Sequence, residues 1–480
     1  MTIAAAIAMN RFGLGHRPAH RAPDGPRAWL LDQLMRYDPS PAAIADQPSR
    51  HAIADAFQSY RMDARQFRKL RKNKTGTDDQ IAMLEAQRKE SRKGLRNVHM
   101  EAVDARLAIA VNSDTDFAER LVHFWSNHFA ISVEKPPVVA LSGNYEFEAI
   151  RPHIMGKFSD LLFAAVQHPA MLLFLDQAQS VGPASPMAQR ISRRRGKKFG
   201  LNENLAREVL ELHTLGVRTG YDQSDVTELA RALTGWTIAG LTGGPAQRRL
   251  IADAKTGDTV FVNAVHEPGQ RRIMGKSYGA DGAEQAKAIL FDLAVHPATA
   301  RHIATKLARH FVSDIPPDNL VKKLEENFLK TGGDLPALYR TLVEAPEAWP
   351  DQWNGAQAKF KSPWEWLVSS LRALNVNELP RNMKTAQLLR RLGQPVWKPG
   401  SPAGYADEAA TWAGSAALMR RVEMAERIAQ RSADRVDARI LAPQILPGLL
   451  ANNTFEAVAR AESPSQGLSL LLVSPEFLRR

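Results

Sequence analysis

The chain has 480 residues, 44% of them hydrophobic, which suits one large or two ordinary hydrophobic cores and excludes disorder for the bulk. Its 63 Lys and Arg against 51 Asp and Glu give a formal charge of +12, which raises a nucleic-acid, anionic-polymer or membrane-surface reading. The absence of cysteine excludes disulfides, thiolate zinc sites, iron–sulfur clusters and cysteine nucleophiles, leaving His, Asp, Glu and backbone groups as the possible metal ligands.

The opening Met1 to Met9 is a short apolar run without basic residues before it, and it meets Asn10-Arg11 at once. No secretory signal peptide is expected, and a cytoplasmic location is favoured for the chain as written. No apolar run approaches the roughly eighteen residues that a membrane span needs, so no transmembrane segment is expected. A helix is predicted at Ala28 to Leu34 after a Pro/Gly-rich entry, with helix formers over 40–60 and 62–72. The 79–98 segment is expected as the return arm of a basic helical hairpin, 62–98, turning at Asn73-Lys74-Thr75-Gly76.

Further helices are expected near 100–112, 115–130, 158–175, 203–216 and 222–234, bounded by Gly, Pro, Asp or Ser. Over 236–280 glycines multiply and β-favouring pieces appear at Thr237-Ile238, Thr259 to Val262 and Arg272 to Met274, which predicts a small β-containing lobe. Helical periodicity resumes through the C-terminal half, 281–480. With no strands to build a parallel sheet, the expected fold is mainly α. It is a multi-helix body forming one family-type domain over 1–480, with an irregular β lobe and a protruding charged hairpin.

The charge is local. Arg65 to Arg96 holds eleven Lys or Arg and four acids, and Met187 to Asn202 holds six basic residues and no acid, which leaves the rest of the chain at −1. Few aromatics accompany either stretch, so nucleic-acid binding is not favoured. Arg193, Arg194, Arg195, Lys197 and Lys198 are instead candidates for docking an acidic partner or anionic polymer.

Placing residues at 100° per position divides two central helices. In Phe117 to Phe129, Leu121, Phe124, Trp125, His128 and Phe129 share one side and Glu119, Arg120, His123 and Asn127 the other. In Asn202 to His213, Leu205, Ala206, Val209, Leu210, Leu212 and His213 oppose Asn204, Arg207, Glu208 and Glu211. His128 and His213 therefore suit core or orienting roles, whereas His123 with Asn127, and Glu208 with Glu211, suit convergence on a ligand. The competing reading of the second helix is an exposed face laced by Arg207 and Glu211 at i+4. His266-Glu267-Pro268-Gly269, with Arg271 following, is expected as a turn that exposes an imidazole; Arg151-Pro152-His153 is a similar polar opening.

Several segments together resemble a known bacterial family, the one called domain of unknown function 1800. They are Phe124 to Phe129, Arg151-Pro152-His153, the run from Leu201 to Val217, Ala230 to Trp236, and His266 to Gly269 with Gly275. The resemblance continues through Lys306-Leu307, Lys361-Ser362-Pro363 and Leu392 to Trp397, nearly the full length. It implies a helical protein, often exported in members and often paired with a second family of sulfatase- or phosphatase-like look. Arg271 or Arg272 stands where members commonly place Lys.

Two functions of different class follow. The first is an enzyme, hydrolase-like and metal-dependent in its sharpest form, with His123, Glu208, Glu211 and His266 as ligands or acid–base groups. A divalent cation would sit on Glu208, Glu211 and His266. Asn127, Arg151, Asn204 and Arg271 would bind the ligand, and His128, His153 and His213 would orient these groups. The second is a non-catalytic binding or assembly protein that docks through its basic segments.

Overall fold

Helix starts are written locally in the sequence. Ser185, Asp222, Asp334 and Ser362 each place a side-chain oxygen where it accepts from a backbone N–H in the first turn of the helix that follows. In the computed structural model, which describes residues 2–18, 20, 22–73, 75–196, 199–242, 253–350, 358–379 and 383–480, helices make up most of the chain. The described strands form two two-stranded sheets, so the fold is mainly α. No described helix is long and apolar enough to cross a membrane.

The charged hairpin pairs α1 (Arg50–Asn73) with α2 (Asp78–Asn112), whose start is closed by a reciprocal cap between Thr77 and Gln80. Lys74, in the turn, lies outside the described residues. The two helices expected at 79–98 and 100–112 are one, because no breaker separates them. Along the distal hairpin Phe67, Leu84 and Leu95 are buried, with the Arg88 guanidinium 4.5 Å over the Phe67 ring. The far end of α2, from Ala102 to Val111, enters a core.

Two hydrophobic clusters hold the body. The first is drawn mainly from 7–57, 117–178 and 205–348, and the second mainly from 360–478 with the far end of α2, joined by Ala6, Leu14 and Phe147. The helix α3 (Asp116–His128) runs along their seam. Phe117, Leu121 and Trp125 point into the first cluster, and the opposite, polar side is buried as well. Burying charge is costly unless it is paired, and each charge here has a partner. Asp116 lies 2.9 Å from Arg372, and Arg120 pairs with Glu365. Glu119 meets Arg151 in a fork with both N···O distances 2.7 Å.

In the glycine-rich lobe β1 (Trp236–Ile238) pairs antiparallel with β2 (Thr259–Phe261), and β3 (Arg271–Ile273) with β4 (Lys276–Tyr278). Met274 and Gly275 form a two-residue turn at φ of 48° and 78°, the left-handed pair that a tight hairpin needs. The strand at 276–278 was not among the expected pieces, since Lys-Ser-Tyr has little β signal of its own. α4 (Gln223–Leu233) packs on β3. Farther along, α5 (Pro297–Phe311) and α6 (Pro363–Ala373) bring the two clusters together at the seam.

The Glu119–Arg151 fork is 1–3% exposed, so removing one partner strands a buried charge. Glu119→Ala is expected to lower the unfolding free energy by about 3–5 kcal/mol in urea denaturation. Adding Arg151→Met should recover part of that loss; no recovery would mean the fork is not the source of the cost.

Candidate functional site

Along α5 the apolar positions Ile303, Ala304, Leu307, Ala308 and Phe311 make one buried stripe. Among its polar positions His302, Lys306, Arg309 and His310 fall at i, i+4, i+7 and i+8 and share another face. Three of these, Lys306, Arg309 and His310, line a cavity of about 310 Å³ at the seam, together with His123, Asn127 and His128 of α3. Ser362, Trp364 and Glu365 at the start of α6, and Trp397, Tyr405 and Asp407 from 394–408, complete its walls. The volume suits a small molecule.

The cavity lining holds an imidazole–carboxylate pair. His310 Nδ1 is 2.6 Å from Asp407 Oδ2, while His310 Nε2 is buried without a partner among the described residues. Burial raises the Asp407 carboxyl, but His310, Lys359 and Arg480 outweigh that and hold it below its usual range. An ionised carboxylate only accepts, so the proton of a neutral His310 sits on Nδ1 and the Nε2 lone pair is free. Burial also depresses His310 itself, against the pull of Asp407, keeping the ring neutral.

His123 has the opposite polarity. Trp364 Nε1 donates to its Nδ1 at 3.3 Å, so the ring proton lies on Nε2, which becomes a donor. Burial, with Arg106, Arg120 and Arg151 nearby, holds His123 well below its ordinary pKa. One ring of the cavity thus offers an acceptor and another a donor.

Four cations line the walls, Arg106, Arg120, Lys306 and Arg309, against three carboxylates, Glu365, Asp407 and Glu408. Arg106 donates through Nε to Glu146 at 2.8 Å and stacks 4.2 Å over Trp364. Arg120 pairs with Glu365, and Arg309 lies 3.9 Å from Glu408. Lys306 has no carboxylate within 4 Å and no hydrogen-bond partner among the described residues. Burial lowers its amine to about 8.

Beneath the floor, residues 359–361 pair with 478–480, where Lys359 N–H donates to Arg480 O at 3.1 Å and Arg480 N–H to Lys359 O at 2.8 Å. The Arg480 side chain, 0% exposed, places Nε 2.8 Å from Glu365 Oε1 and Nη2 3.6 Å from Asp407 Oδ1, and donates through Nη1 to His310 O at 2.7 Å. Asn127 pins the wall loop. Its amide donates to Tyr405 O at 2.8 Å and its oxygen accepts from Tyr405 N–H at 2.7 Å. Gly404, at φ +84°, lies so close that a Cβ would come within 2.4 Å of Asn127 O.

The residues expected from sequence divide accordingly. His123, Asn127 and His128 reach the cavity. Asn127, expected to bind ligand, spends both polar atoms on Tyr405. His128 is an anchor in the core, donating from Nε2 to His213 O at 3.1 Å. His213 is buried, its pKa pushed down to about 3 by burial and nearby cationic groups.

The other expected residues do not line the cavity. Arg151 is engaged by Glu119 and by the carbonyls of Asp38 and Pro39. His153 bonds its own helix turn at Ala149 O, 3.0 Å. Asn204 is exposed, and Arg207 meets Glu211 at 3.2 Å, the laced surface face. Burial and Glu211 raise the Glu208 carboxyl.

The His266 turn is buried rather than exposed. His266 Nδ1 lies 2.8 Å from Thr234 O, and its ring packs 5.1 Å from that of Phe261. Glu267 Oε2 accepts from Ala184 N–H at 2.7 Å, and Arg271 donates to Glu267 O at 2.9 Å, so this motif ties the lobe to 182–184. Among the described residues no three His, Asp or Glu side chains converge as cation ligands, so the expected set Glu208, Glu211 and His266 does not assemble.

On the surface Arg190, Arg193 and Arg194 are exposed on the 186–195 helix; Lys197 and Lys198, and the Arg195 side chain, lie outside what the structure describes. Sequence reasoning missed His310, Asp407, Lys306 and Arg480. Lys306, Ser362, Gln394, Val396 and Trp397 do, however, fall in segments that carry the family resemblance.

The model of a family described as a protein of unknown function, DUF1800, matches residues 7–479. No curated protein and no solved structure matches.

The neighbourhood has a readable effect on stability. Lys361, 1% exposed, lies 3.1 Å from Ser369 Oγ and 4.2 Å over the Phe477 ring, and burial lowers it from 10.5 to about 7. The unfolded chain therefore holds this proton between pH 7 and 10.5 while the folded chain does not, so stability rises with pH through that window. Between pH 7.5 and 9.5 the wild type should gain about 2 kcal/mol more than Lys361→Met in urea unfolding. Equal gains would show that Lys361 is charged in the fold.

Proposed function

The chain belongs to the DUF1800 family, and from its seam cavity we propose that it is an enzyme performing acid–base chemistry on a small anionic substrate. The observation that carries this reading is the His310–Asp407 pair on the wall of a cavity whose lining cations outnumber its carboxylates. His310 Nε2 is the base, taking a proton from water, as a hydrolase would, or from the substrate itself. Asp407 fixes the tautomer and ring orientation and stabilises the imidazolium that forms. His123 Nε2–H is the donor for an oxygen on which negative charge develops. While Lys306 is protonated the lining carries excess positive charge that selects an anion, and Trp364, Trp397 and Phe124 supply apolar wall for its body. The surface cations Arg190, Arg193 and Arg194 suit an acidic partner without bearing on this chemistry.

A thermal-shift screen of small carboxylates and phosphomonoesters at pH 7 tests the binding half. An anion at about 100 times its Kd should stabilise the chain by about 2.7 kcal/mol. For a turned-over ligand, His310→Gln should lower kcat/KM by about 10²- to 10⁴-fold with little change in affinity. The acid limb of the wild-type profile should fall below pH 6.5, on the side to which burial moves this imidazole. No stabilisation by any anion, or turnover unaffected in His310→Gln, would overturn the reading.

A further inference from the structure

We propose that the Lys306 amine is a nucleophile toward the carbonyl carbon of a small aldehyde or ketone bearing an anionic group. This rests on the cavity being an active site and narrows its substrate class. Each of the other three lining cations faces a carboxylate, Arg106 with Glu146, Arg120 with Glu365 and Arg309 with Glu408. Among the described residues Lys306 alone of these cations has no carboxylate within 4 Å; Asp407 acts on it only from farther off, raising its pKa, while Arg309 opposes that.

Its surroundings favour an uncharged amine. His128, His213 and His302 cluster about it with ring centroids 6.0 and 6.4 Å apart, and burial holds all three rings neutral. Two of them are anchored elsewhere, His128 on His213 O and His302 on Leu212 O at 3.2 Å, and His128 shares the cavity lining with Lys306. With its pKa lowered to about 8, a useful fraction of the amine is neutral near pH 7.5.

His310 stands four residues on, along the same face of α5, where side chains at i and i+4 are neighbours. The step balances with these two groups. The Lys306 lone pair attacks the carbonyl carbon, a C–N bond forms, and the carbonyl π electrons pass to oxygen. That oxygen takes a proton and nitrogen loses one, with His310 Nε2 as carrier. Loss of water then breaks the C–O bond and leaves an imine. Lys361, similarly desolvated, does not line the cavity and serves as an internal control.

The test uses the full chain with glyoxylate as the anionic aldehyde and sodium cyanoborohydride to reduce the imine, read by intact mass and peptide mapping at pH 7.5. One carboxymethyl group is expected at Lys306, formed at least about tenfold faster than on the exposed Lys330, with Lys361 unmodified. The rate should rise with pH and level off above about 8. It should be absent at this position in Lys306→Arg and slowed in His310→Gln. Labelling of surface lysines alone, or a fast phase retained in Lys306→Arg, overturns the proposal. If anions still stabilise a chain whose Lys306 stays unmodified, the imine chemistry falls while the acid–base reading stands. If anions do not stabilise it either, both fall.

Discussion

One carboxylate, that of Glu365, joins the parts of this molecule. Its Oε2 accepts from Ser362 N–H at 2.8 Å and closes the start of α6; its Oε1 is shared by Arg120 and by Arg480, the latter at 2.8 Å. Burial raises this carboxyl, but Arg480 and Arg120 outweigh it and hold the group well below its usual range. Three chain-distant segments meet on this one group: α3 from the first core, α6 from the second, and the 478–480 segment. Since an unpaired buried charge costs several kcal/mol, none of the three can leave without stranding the others.

The chemistry of the cavity follows from the same economy of partners. Polar groups that face the protein are spent on it, as Asn127 is on Tyr405 and Arg106 on Glu146. What remains unspent is sparse and specific: an imidazole acceptor at His310, an imidazole donor at His123 and an amine at Lys306. The tautomers of the two rings are set by different neighbours, a carboxylate for one and an indole N–H for the other. Two residues of one type therefore acquire opposite roles without any difference in their own covalent structure.

Much of the fold was legible in the sequence because helix starts and periodicity are local. The hairpin, the lobe and α3 with its two faces all followed from such signals. The site was legible only where its residues share a helix, as His123 and Asn127 do. His310 and Asp407 are separated by 97 positions, and Arg480 meets Glu365 only through the pairing of 359–361 with 478–480, so no spacing rule reaches them. Glu208, Glu211 and His266 were attractive for their residue types, yet type says nothing about convergence. The polar stripe on α5 was available to periodicity but was masked by a strong apolar face on the same helix.

The seam position of the cavity has a consequence for assembly. His310 and His123 stand on helices of the first core, whereas Trp364, Glu365 and Trp397 belong to the second. A nascent or partly folded chain in which one core alone is complete holds no cavity, no fixed tautomers and no electropositive wall. The imidazole acceptor, the imidazole donor and the amine therefore share one cavity only once the two halves have docked.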